Sequence, residues 1–154
     1  MSFEKHIWGN HTWFFMHVFV EKIKPEYFLQ EKSNIISIIT KICNNLPCPE
    51  CSQHASNIMN TYNFNNIKDK SDMKKFVYDF HNHVNKKLNK PEFDFNLLDE
   101  TYEKGNLILA INNLNIILNK NINVPKLMMA TMHRKTISIF ITQYFNTNID
   151  KYIK

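Results

Sequence analysis

Glycine is nearly missing from this chain of 154 residues, with Gly9 and Gly105 the only two. Both the G-x-G-x-x-G dinucleotide loop and the G-x-x-x-x-G-K-[ST] phosphate loop need several glycines within a few residues, so both are excluded. Any nucleotide bound here needs another mode of recognition. Arginine is scarcer still, since Arg134 stands alone among 19 lysines and arginines. The net charge of +5 admits nucleic acid or an acidic surface as a partner. Arginine forks, which read phosphates and base edges, are what such a partner usually calls for, and the abundance of Lys, Asn and Ile has the look of an AT-rich coding sequence. No nucleic-acid partner is expected. No stretch of about 18 apolar residues occurs, and the start MSFEKHIWGN has neither a secretory apolar core nor a transit pattern, so no membrane span is expected and the chain reads as cytoplasmic. Cys43, Cys48 and Cys51 are too few for a disulfide scaffold, and in a reducing compartment such a cluster is catalytic or metal-binding.

What is present is globular: 44% apolar, 13% aromatic and 21% charged residues, at a length that suits one domain. Helical periodicity dominates. From Ser71 to Asn89 the apolar positions Met73, Phe76, Val77, Phe80, Val84 and Leu88 recur at three and four, with Ser71 or Asp72 as N-cap and Pro91 just past the end. Trp8 to Ile23 reads as a mostly buried helix stopped before Pro25. A third helix is expected from about Lys32 through the isoleucine-rich stretch to Leu46, closed by Asn44-Asn45 and Pro47, and a fourth from the cysteine pair to about Asn60. Two further apolar segments, about Leu107 to Leu118 and Lys126 to Phe145, are separated by Asn121 to Pro125. The expected class is all-α, a helical bundle without internal repeats.

Pro47-Cys48-Pro49-Glu50-Cys51 places two thiols where a helix start holds them within disulfide reach. A cysteine at a helix N-terminus faces unpaired N–H groups and the positive end of the macrodipole, which favour the thiolate that disulfide exchange needs. Pro49 suits the first turn, where its missing N–H costs nothing. Three other readings compete. Cys43, Cys48, Cys51 and His54, with His81 or His83 in reserve, would make a zinc site of a small helical interaction module, although no second C-x-x-C supports it. A thioredoxin-like domain would want a strand before the motif, and the flanks here are helical. Cys43 itself sits on the apolar helix, as a small buried hydrophobe does, or else serves as a resolving thiol.

Two further constellations accompany the pair. Trp8-Gly9-Asn10-His11-Thr12-Trp13 is followed by His17, so that Trp13 and His17 share a helix face. His81-Asn82-His83-Val84-Asn85-Lys86-Lys87-Leu88-Asn89-Lys90-Pro91 sets Val84 and Leu88 toward the core, with His81, Asn82 and Asn85 on a neighbouring polar edge. Taken together and in this order, from about Trp8 to Tyr102, they resemble the Erv/ALR family of FAD-linked sulfhydryl oxidases, including the short forms of large cytoplasmic DNA viruses. The family pattern is W-x-x-x-H, then C-x-x-C, then H-N-x-V-N-x-x-L-x-K-P.

The resemblance implies a four-helix bundle plus a short fifth helix cradling FAD over residues 1–104, with 105–154 a helical extension packed on the same domain or at a dimer interface. It implies that Cys51 is the flavin-proximal cysteine and Cys48 the thiol that meets the substrate. Gly9, Asn10, Trp13, His17, Cys51, His81, Asn82, Val84, Asn85, Lys87, Lys90 and Tyr102 would line the cofactor, Tyr102 standing where the family usually has tryptophan. The implied reaction makes disulfides in a thiol-bearing protein or a thioredoxin-like partner, with electrons passing to O2 as H2O2. The implied setting is a homodimer in the cytoplasm or, for a viral protein, the virion. Three departures stand out. The family's C-x16-C staple is replaced by Tyr78 and Phe95, so aromatic packing must substitute for it. Asn10 stands where a basic residue is common. No distal shuttle C-x-x-C occurs, so electrons must come directly from a partner or from a shuttle on another chain. The extension is too apolar to stay solvated, with Met128, Met129, Met132, Ile137, Ile139, Phe140, Ile141, Tyr144 and Phe145 crowded into one segment. It is expected to make or reshape the dimer interface.

Overall fold

The structure, a computed structural model, describes residues 5–120 and 128–154, with side chains over 7–120 and 131–154. The expected break over Asn121 to Pro125, the helix start at Lys126 and Leu127, and the side chains of Met128 and Met129 lie outside the described residues.

Among the described residues the chain is all-helical: α1 (Lys5–Lys22), α2 (Phe28–Cys43), α3 (Pro49–Thr61), α4 (Lys70–Lys87), the short α5 (Leu98–Glu103), α6 (Leu107–Leu118) and α7 (Met128–Asn148). Boundaries moved where local chemistry overrode the periodic pattern. α2 starts at Phe28 rather than near Lys32, because the single turn Pro25–Tyr27 runs directly into it and Phe28 is buried. It stops at Cys43. The cap of α4 is neither Ser71 nor Asp72 but Asp69, whose carboxylate accepts the Asp72 N–H at 2.8 Å. The first turn therefore begins two residues sooner.

α1 lies at the centre. Phe15, Met16, Val18, Phe19 and Val20 are all buried, which a one-sided helix could not achieve, and α4, α5 and α6 all pack against it. The α5–α6 corner presses closest: a Cβ on Gly105 would meet the Val18 Cγ2 at 2.6 Å, so only glycine fits there. Tyr78 and Phe95 pack together as expected, edge to face at 5.1 Å, with the Tyr78 hydroxyl donating to the Phe93 carbonyl at 2.7 Å.

The extension folds back on the bundle. α6 runs along α1, and α7 packs on α6 and α2. Phe145 and Tyr152 close over Phe19, and Phe145 meets Phe15 edge to face at 6.3 Å. Beyond α7 the chain is sewn to the end of α1: Lys24 N–H donates to the Lys151 carbonyl at 2.9 Å and Ile153 N–H to that of Lys22 at 2.7 Å. Buried Glu31 ties the two halves, accepting from the Tyr144 hydroxyl at 2.7 Å and from Lys151 at 2.8 Å. No helix among the described residues is long and apolar enough to cross a membrane.

Candidate active site

Cys48 is the N-cap of α3 and Pro49 its first residue, as the motif predicts. Its extended backbone turns the Sγ back over the first turn, where it accepts the Cys51 N–H at 3.3 Å. Cys48 and Cys51 are joined in a disulfide across a Cα–Cα distance of 5.2 Å. Ser52 braces the approach from the other side, its Oγ accepting the Leu46 N–H at 2.7 Å.

Behind the disulfide a cavity of about 280 Å³ opens between α1, α3 and α4. Trp8, Trp13, Phe80 and Val84 give it flat apolar walls, and Asn85, Lys87 and Lys90 give it a polar, cationic edge. Cys51 is part of the wall; Cys48 is not. Large apolar surface with a few convergent polar groups is the ordinary make-up of a small-molecule site. It suits a ligand with a planar heteroaromatic ring and an anionic tail.

The end of α4 explains how Lys90 reaches that edge. Asn89 adopts φ 57°, and the paired bonds from Lys90 N–H to the Asn85 carbonyl at 2.8 Å and from Asn89 N–H to that of Lys86 at 3.2 Å complete a Schellman turn. The chain reverses just after Lys87, so both lysines stay at the cavity. Leu88, expected in the core, is exposed at 36% and lines the cavity instead, because this turn lifts it off the bundle.

Trp13 stacks flat on His81 at 4.2 Å, and His81 Nδ1 lies 2.8 Å from His17 Nε2. His17 in turn stacks on Tyr102 at 4.3 Å. Burial pushes the His17 imidazole down to about 3, aided by repulsion from His81. Burial, and after it the Lys90 charge, pushes His81 down to about 4. Both rings are therefore neutral at pH 7, one donating and one accepting.

Of the residues singled out from sequence, Gly9, Asn10, Trp13, Cys51, His81, Val84, Asn85, Lys87 and Lys90 line the cavity together. His17, Asn82 and Tyr102 do not. His17 and Tyr102 stand behind Trp13 and His81 in the ring stack, and Asn82 turns its amide to the Phe93 backbone, donating to the carbonyl at 3.1 Å and accepting the N–H at 2.9 Å. Asn82 thus pins the loop that carries Phe93 against α4. Sequence reasoning passed over Trp8, Thr12, Met16, Glu50, Ala55 and Phe80 as lining residues. The helical spacing of Trp8, Thr12 and Met16 beside Trp13 was the signal that could have found the first three.

Cys43 is buried at 1%, at the back of the same cavity, and burial pushes its thiol up to about 12. Such a group is a protonated, unreactive filler. The zinc reading loses its donor set: Cys48 and Cys51 are bonded to each other, and no three His, Cys, Asp or Glu side chains among the described residues converge on a point.

The sequence profile of the Erv1/Alr family matches residues 10–103, which contain the disulfide and all of the cavity lining except Trp8 and Gly9. The chain belongs to that family. Among relatives in the Erv1/Alr family, a protein of Invertebrate iridescent virus 3 named as an FAD-linked sulfhydryl oxidase is 30% identical over 93 residues, 60% of this chain and 63% of that protein, so the match spans less than two thirds of the relative. An FAD-linked sulfhydryl oxidase of African swine fever virus is 29% identical over 98 residues, 64% of this chain and 82% of the viral protein. No solved structure matches the chain significantly. The Erv1/Alr match stops at residue 103, so α6 and α7 lie outside it.

Proposed function

We propose that the chain is an FAD-linked sulfhydryl oxidase, in which Cys48 receives electrons from a thiol substrate and Cys51 delivers them to the cofactor side. The observation that carries this reading is the asymmetry of the disulfide: Cys51 forms part of the cavity wall and Cys48 does not.

The residues divide the work accordingly. A substrate thiolate attacks the Cys48 Sγ, the Cys48–Cys51 bond breaks, and Cys51 leaves as a thiolate in the cavity wall. A second substrate thiolate attacks the substrate sulfur of the mixed disulfide, releasing Cys48 and completing a substrate disulfide. The enzyme is left with a dithiol carrying two electrons. FAD, when bound, accepts such an electron pair and passes it to O2 to give H2O2. Trp8, Trp13 and Val84 provide apolar faces for the ring system, and Lys87 and Lys90 provide charge for its phosphates. The stack behind them, from Trp13 through His81 and His17 to Tyr102, sets the orientation of the Trp13 and His81 rings and keeps water from that side. His17, Asn82 and Tyr102 enter as residues that position the cavity wall.

The substrate is a protein dithiol or a thioredoxin-like partner, and the working form is a cytoplasmic homodimer. The exposed apolar side chains of α6 and α7, among them Leu109, Ile116, Met132 and Ile139, support a further interface on the extension. Light scattering reads the dimer as twice the chain mass. The activity is tested with the purified chain: a yellow protein with one FAD per chain that consumes O2 in the presence of dithiothreitol is expected. Cys51→Ser should keep the flavin and the fold while losing dithiol oxidation. Full turnover in that variant overturns the assignment.

A further inference from the structure

A second cleft, about 300 Å³, lies on the other face of the α3 N-terminus. Pro47 and Pro49, the two neighbours of Cys48, line it, and Leu46 is shared between its wall and that of the cofactor cavity. Its floor is Arg134 of α7, the only arginine in the sequence, and that arginine is 1% exposed. The guanidinium Nη2 donates to the Thr131 hydroxyl at 3.1 Å, while Nε has no partner. No carboxylate among the described residues forms an ion pair with it. Arginine cannot shed its proton to escape such a setting, so a buried guanidinium without a counter-ion is a costly arrangement unless an anion comes to it.

The rest of the lining says which anion fits. Asn44, Asn45, Gln53 and Ser56 bring amides and a hydroxyl, and no acidic side chain among the described residues lines the cleft. Among the described residues Arg134 is also the only cation there, so the site matches one negative charge rather than a phosphate dianion. A planar carboxylate accepting from the guanidinium, with amides around it, meets those conditions. Its position beside Pro47 and Pro49 means that whatever carries the carboxylate lies along Cys48 as well.

We propose that this cleft is a substrate subsite, which takes an aspartate or glutamate side chain flanking the reactive cysteine of the polypeptide that attacks Cys48. The proposal rests on the oxidase reading above and adds a specificity to it. Because Arg134 belongs to α7, outside the matched family region, the extension then serves as the floor of the substrate site.

The test uses the full-length flavoprotein and two dithiol peptides that differ only in having glutamate or glutamine beside the cysteines, with initial O2 uptake measured against peptide concentration. The glutamate peptide should show a KM about tenfold lower at similar kcat, the scale of one charge-assisted hydrogen-bonded contact. Arg134→Met should bring the KM ratio to one. Arg134→Lys keeps the chain's net charge but not the fork, so its ratio should fall between the two, which separates the site from general attraction of acidic peptides to a basic protein. Helical circular dichroism and the flavin spectrum report folding; if Arg134→Met does not fold, the wild-type ratio and Arg134→Lys decide. Equal KM values in the wild type, or an undiminished ratio in either variant that folds, overturn the subsite while leaving the oxidase intact. Failure to oxidise dithiothreitol overturns the oxidase reading and the subsite with it.

Discussion

Two cysteines a few residues apart have opposite chemistry because of where their sulfurs sit. Half-buried Cys48 caps a helix, while Cys43 is sealed in the cavity's back wall with its thiol pushed up to about 12. Cys43→Ala should accordingly retain most dithiol oxidation and cost about 1 kcal/mol for a small cavity. Thermal denaturation and O2 uptake check this, and a large loss of turnover at normal flavin content would mean Cys43 resolves a disulfide. The paired imidazoles carry a pH dependence with a definite sign. His17 and His81 are depressed to about 3 and about 4 from an ordinary value of 6.5, so the unfolded chain takes up protons first as pH falls. Their contribution to stability is complete above pH 6.5 and is lost between there and about pH 4 for His81 and about pH 3 for His17. Replacing His81 by Gln should flatten that part of the stability–pH curve, measured by chemical denaturation at several pH values.

Element ends, more than element interiors, deliver side chains to this site. The start of α3 fixes the disulfide, and the end of α4 swings Lys90 to the cavity by putting Asn89 at φ 57°. A β-branched residue strongly resists that conformation, whereas glycine adopts it freely. Asn89→Gly should therefore be neutral within a few tenths of a kcal/mol, and Asn89→Val should cost about 1–2 kcal/mol and weaken flavin retention. Equilibrium unfolding and the flavin-to-protein absorbance ratio of the two variants give the comparison. Asn82 belongs to the same group of devices: an H-N-x-V-N pattern reads as a row of ligands, yet its asparagine holds the Phe93 loop through two backbone hydrogen bonds.

At the scale of the molecule, the extension is part of the core. Ile141, Tyr144, Phe145 and Tyr152 are buried in the same cluster as Phe15 and Phe19, and the Glu31, Tyr144, Tyr152 and Lys151 network closes it. A chain ending at Lys120 should lose this cover, melt at a markedly lower temperature and bind a hydrophobic dye, with flavin loss following the unfolding. An unchanged melting curve would show that α7 is an appendage. Glu31 sharpens this at low pH. Burial pushes its carboxyl up, but the hydrogen bonds from Lys151, Tyr144 and Asn34 outweigh that and hold it below the ordinary carboxylate value. Its support for the fold is present above that value and is lost as pH falls through the lowered one.

Much of this protein is legible without its structure. The periodic apolar stripes determine the helices, since burying one face of a helix requires that spacing whatever it packs against. The order of the W-x-x-x-H, C-x-x-C and H-N-x-V-N-x-x-L-x-K-P motifs determines the family, because those residue types are dictated by local roles: a helix cap, a stack, a turn. The Tyr78–Phe95 contact was legible only through the family resemblance, which puts a cross-link at those two positions. Tertiary structure alone decided which of these side chains share a surface. Spacing cannot show that Cys51 lines the cavity and Cys48 does not, that Leu88 leaves the core at a left-handed turn, or that Asn82 is held by a loop eleven residues on. Nor can it place Arg134 in one cleft with Pro47 and Pro49, because that arrangement depends on α7 packing back across α2. Pairings between distant segments follow from the packing of the whole chain, and no local pattern encodes them.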